Sequence, residues 1–68
     1  MKERQYYMKF VELHLVNGKE ILVNVRSVTH SYSYEEEGSH NQTVIFFFSG
    51  KEIRVSEDYE TVKKLMKE

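Results

Sequence analysis

Two nine-residue stretches, Leu15-Val16-Asn17-Gly18-Lys19-Glu20-Ile21-Leu22-Val23 and Phe47-Phe48-Ser49-Gly50-Lys51-Glu52-Ile53-Arg54-Val55, repeat one pattern: apolar strand, polar residue, Gly-Lys-Glu-Ile, strand again. They read as two copies of one β-hairpin, and glycines at 18 and 50 leave a 68-residue chain room for little else. The strands fix the turn register, because a hairpin must place the apolar residues of both strands on one face. A two-residue Asn17-Gly18 loop would split Val11, Leu13 and Leu15 from Ile21 and Val23. A three-residue loop of Val16-Asn17-Gly18 instead pairs Leu13 with Ile21 and Val11 with Val23, and sets Gly18 at a left-handed bulge position. The same choice in the second copy pairs Ile45 with Ile53 and Thr43 with Val55. Both Gly-Lys-Glu runs are then turn chemistry with solvated charges.

A chain this short is one domain, 1–68, that buries only about 60% of the surface its unfolded form exposes. It has no cysteine for a disulfide or a zinc-thiolate site. Its three histidines, His14, His30 and His40, show no metal-ligand spacing in sequence, so neither metal nor cofactor is expected. Oligomerisation is the remaining support. The lack of cysteine fits a reducing compartment, and no apolar run is long enough for a signal peptide or a membrane span, so a cytoplasmic protein is expected. A net charge of −1 removes the broad attraction that most non-specific nucleic-acid binders use.

Along the chain, residues 1–5 are charged and expected to fray, and residues 6–16 alternate as a first strand. Residues 20–25 return as a second strand. Residues 26–34 form a third after a bend, with Val28, His30, Tyr32 and Tyr34 on one side and Thr29, Ser31 and Ser33 on the other. Residues 35–42 are too polar to pack and read as an exposed loop, and residues 43–48 begin the second hairpin. Ser56 is the expected cap of a final helix with Glu57, Asp58 and Glu60 in its first turn and Lys63, Lys64 and Lys67 towards its end. Tyr59, Val62, Leu65 and Met66 share one face at helical spacing. The fold class is therefore α+β, mostly β: a bent antiparallel sheet of four to five strands with one C-terminal helix.

The run Leu15-Val16-Asn17-Gly18-Lys19-Glu20 with Val23-Asn24 behind it, and Thr43-Val44-Ile45 through Gly50-Lys51 to Val55, Glu57 and Val62, resembles the small bacterial flagellar and swarming-motility proteins. The resemblance covers the chain from about Val11 onward. It implies the two-hairpin-plus-helix fold and no enzymatic activity, and proteins of this shape are also encoded by phages. Residues 31–42 are longer than the family's connection, and Tyr6-Tyr7 is an extension.

The sheet's second face carries the functional information. Leu13, Leu15, Ile21, Val23, Ile45, Ile53 and Val55 define the first face, leaving Phe10, Glu12, His14, Glu20, Leu22 and Asn24, and Val44, Phe46, Phe48, Glu52 and Arg54, on the other. One helix covers one face, and three consecutive phenylalanines leave no solvent-facing position in their strand. Phe10, Val44, Phe46 and Phe48 are therefore expected at a self-association interface or inside a small barrel. The favoured reading is a non-catalytic homo-oligomer that contacts a protein partner. A second reading is a nucleotide-like ligand held between subunits by His14, Arg26, Tyr32, Tyr34, Phe46 and Arg54. A third, base stacking on Phe46 and Phe48 near Arg54, is opposed by Glu12, Glu20 and Glu52, which repel phosphates. His14 beside Glu12 and Glu20 resembles an acid-base pair, but without an activated nucleophile it reads as a solvated face, with His14 a cross-strand partner of Glu20.

Overall fold

The computed structural model describes residues 9–35 and 41–68. The expected fraying of residues 1–5 and the start of the first strand at residues 6–8 lie outside the described residues, as do positions 36–40 of the polar loop, His40 included. Among the described residues the chain forms strands β1 (Phe10–His14), β2 (Glu20–Asn24), β3 (Val28–Tyr34), β4 (Gln42–Phe47) and β5 (Glu52–Val55), then helix α1 (Tyr59–Lys67). This is the expected α+β fold, and its bend is a division into two antiparallel sheets, β1-β2 and β3-β4-β5.

Both hairpins adopt the register that their apolar pattern requires. Val11 opposes Val23 and Leu13 opposes Ile21 in the first; Thr43 opposes Val55 and Ile45 opposes Ile53 in the second. The turns match bond for bond: the Leu15 N–H donates to Lys19 O and the Gly18 N–H to Leu15 O, as Phe47 does to Lys51 and Gly50 to Phe47. Gly18 and Gly50 have φ of 94° and 93°, where a Cβ would be strained by the backbone itself.

The bend lies at a 3-10 turn over Val25–Ser27, so at this joint the second strand is one residue shorter than expected and the third two. The Asn24 side chain accepts from the Arg26 N–H, and Ser27 Oγ donates to Asn24 O. Sequence alternation fails just beyond it. Val28 opposes Phe47 and His30 opposes Phe46, with a register shift between them. Thr29 is the extra residue of a bulge, which turns Val28 towards the core while His30, Tyr32 and Tyr34 face outward. At the strand's far end Gln42 belongs to β4 and not to the polar loop.

The core is Val11, Leu13, Val23, Ile45, Val55 and Val62, with Leu15, Ile21, Val25, Val28, Phe47, Ile53, Leu65 and Met66 packed around it. These include all seven residues assigned to the inner face from sequence. The sheets meet at one bridge, Leu15 to Val55, continued by the Ser56 N–H donating to His14 O at 2.8 Å.

That contact corrects the helix start. Ser56 is engaged with β1, and Asp58 caps the helix, its carboxylate accepting from the Thr61 N–H at 2.8 Å. Glu57 and Asp58 therefore precede the helix, and Glu60 alone is acidic in its first turn. Val62 enters the core at full burial, and Lys9 Nζ donates to Met66 O at the helix's C-terminal end.

Candidate functional site

The outer faces of the two sheets carry two different groups of side chains. On β3-β4-β5, the His30 ring stacks on Phe46 with centroids 4.5 Å apart and planes 13° from parallel. Tyr32 meets the same Phe46 ring at 5.8 Å, and the Arg54 guanidinium lies 4.3 Å from the Tyr34 ring centre. The cross-strand register explains this: His30, Phe46 and Glu52 form one row, and Tyr32, Val44 and Arg54 the next. His30 is exposed.

The four expected interface residues separate. Phe46 is half-buried in the aromatic group. Val44 is buried within the chain at 5% exposure, so it needs no outside cover. Phe10 and Phe48 are 51% and 74% exposed, alongside Leu22 at 69% and Tyr32 at 49%. Three successive phenylalanines thus do have a solvent-facing member: Phe47 packs on the core, Phe46 stacks on the outer face, and Phe48 enters the turn. The outer face is also not a barrel interior, since the core lies on the opposite side of both sheets.

Of the expected ligand residues, Tyr32, Tyr34, Phe46 and Arg54 share this face. Arg26 sits in the 3-10 turn and His14 on the other sheet. A shallow groove of about 390 Å³ runs past Tyr34, Val44, Glu52 and Arg54. Arg54 Nε is buried there without a hydrogen-bond partner.

On β1-β2, His14 is held from two directions. Its β2 partner is Glu20, with Nε2 3.7 Å from Glu20 Oε2, as expected from sequence. Its stronger partner is Glu57, whose Oε2 lies 2.7 Å from Nδ1 and whose Oε1 accepts the His14 backbone N–H at 3.0 Å. A carboxylate only accepts, so Nδ1 carries the proton. The hydrogen bond to Glu57 raises the His14 pKa above its usual value, helped by the negative charges of Glu57, Glu20 and Glu12. Burial pushes the Glu57 carboxyl up, but hydrogen bonds from the His14 ring and backbone outweigh it and leave the carboxyl below its usual range. The buried Thr43 donates Oγ1–H to Glu57 O at 2.8 Å, fixing the backbone that presents the carboxylate.

Glu12 completes this second group. The ligand-type atoms of Glu12, His14 and Glu20 all lie within 4.8 Å of one another. In sequence His14 stands beside both glutamates, whereas Glu57 is 43 residues away and reaches His14 only where the two sheets meet.

No protein-family model matches the chain, and neither a curated protein nor a solved structure does. No helix among the described residues is long and apolar enough to cross a membrane.

Proposed function

We propose that this chain is a non-catalytic, cytoplasmic binding module that pairs with a second copy of itself through the outer face of β3-β4-β5, and in that form engages a protein partner. The observation that carries this reading is the His30-Phe46-Tyr32 aromatic group on an edge strand and its neighbour, in which His30 and Tyr32 remain exposed. Aromatic groups that retain exposed area are typical anchors of protein interfaces. The small core adds a reason to associate. A role like that of the flagellar and swarming-motility proteins belongs to the same proposal and rests on the hairpin motifs alone.

Light scattering over a range of concentrations tests it. The wild-type chain should exceed the monomer mass, and Phe46→Glu and the more exposed Tyr32→Glu should each reduce it to a monomer while keeping the circular dichroism spectrum. A monomeric wild type, or folded variants of unchanged mass, overturns the reading.

One observation favours a second reading. The Arg54 guanidinium lying over the Tyr34 ring at the side of an open groove suits an anionic aromatic ligand such as a nucleotide. In that case mononucleotides raise the melting temperature of the wild type and not of Arg54→Ala. A panel that leaves the wild type unmoved removes the ligand reading.

A further inference from the structure

We propose that Glu12, His14 and Glu20 bind a divalent transition-metal ion of the zinc class, with His14 Nε2 and one oxygen from each glutamate as ligands and Glu57 as the positioning residue. The site lies on the β1-β2 sheet and does not rest on the self-association reading.

The strand geometry converges the three ligands. Glu12 and His14 are two apart on β1 and face the same way, and Glu20 is the register partner of His14. Their ligand atoms fall within 4.8 Å of one another, a spread that small side-chain rotations close onto one ion. Glu57 supplies what an isolated triplet lacks. By holding the proton on Nδ1 it leaves Nε2 with a bare lone pair in the neutral ring, directed at Glu20 Oε2 3.7 Å away. Two electron-pair donors facing each other repel unless a cation lies between them. A carboxylate on the far nitrogen of a metal-binding imidazole is the usual second-shell arrangement, fixing the tautomer and ring direction and raising the basicity of the ligating nitrogen.

The donor set selects the ion. Calcium and magnesium prefer all-oxygen shells, whereas one imidazole with two carboxylates suits zinc and its neighbours. Three protein ligands leave a coordination position for water or for a group from another molecule. With no cysteine in the chain, no thiolate competes for the ion.

The test titrates the 68-residue chain with zinc chloride, in mildly alkaline buffer so that the imidazole is unprotonated, by calorimetry and by NMR of the histidine rings. One ion per chain should bind and shift the His14 ring signals, and magnesium should do neither. His14→Ala should abolish binding. Glu57→Gln should weaken it about 10–100-fold at unchanged stoichiometry. Glu20→Gln, at an exposed position that leaves the fold intact, should also weaken it. Zinc that leaves the His14 signals in place means that a proton alone occupies the site and overturns the proposal. So does binding that survives His14→Ala, or shifts confined to His30 and His40.

Discussion

Glu57 receives both the ring Nδ1–H and the backbone N–H of His14, so one carboxylate at the end of the second hairpin fixes one residue at the end of the first. Next to it lies the Leu15 to Val55 bridge. Glu57→Ala should therefore loosen this seam before anything else. Amide hydrogen exchange is expected to quicken several-fold at His14 and Ser56 while remaining slow at Ile45. Equal acceleration throughout would mean that the contact supports the whole fold evenly.

Thr43 is the fully buried polar side chain among the described residues, and its hydroxyl holds Glu57 O. Thr43→Val preserves shape but leaves that carbonyl without its donor. The cost should be about 1–3 kcal/mol in urea unfolding. A neutral result would show that water replaces the hydroxyl.

The two turn glycines make a matched pair. A Cβ at either position meets nothing within 4 Å, so the penalty of alanine is the positive φ alone. Gly18→Ala and Gly50→Ala should each cost about 1–2 kcal/mol, with asparagine milder at both sites. Unequal costs would point to strain that only one turn carries.

Core and surface apolar residues should separate cleanly. Ile45→Ala is expected to cost about 2–5 kcal/mol, enough to unfold much of a domain this small. Leu22→Ala, on the outer face, should stay within about 0.5 kcal/mol. A large loss at Leu22 would mean that it is covered in solution, and measuring the loss as a function of protein concentration would detect that cover.

The hydrogen bond from Thr61 lowers the Asp58 pKa below its usual value. The cap's contribution is then fully present above the unfolded pKa of about 3.9 and is lost as pH falls through the lower folded value. Helical circular dichroism should fall in that acid range, and Asp58→Asn, which caps without titrating, should remove this component. An unchanged acid profile in the variant would assign the transition to other carboxylates.

Both hairpin registers were legible in the sequence because period-two alternation and a glycine-closed loop agreed on one pairing. The bulge at Thr29 was not, since β3 alternates plausibly without it and only the partner strand reveals the extra residue. The helix cap was misplaced by two residues because Ser56 and Asp58 are equally good caps by type. What separated them was the pull of His14 on Ser56, a tertiary contact. The same holds for the outer sites. Phe46 and Arg54 could be placed on their face by counting, whereas the pairing of His14 with Glu57 depends on two hairpins closing on each other.

That closure has a kinetic consequence. Each hairpin pairs residues close in sequence, so each is expected to form early and on its own. The seam joins positions 43 residues apart and must wait for a long loop to close. Substitutions at His14 or Glu57 should consequently leave the refolding rate of the hairpins alone and appear as faster unfolding, the mark of a contact made after the barrier. Breaking that one histidine-carboxylate contact should then shorten the life of the folded molecule without slowing its formation.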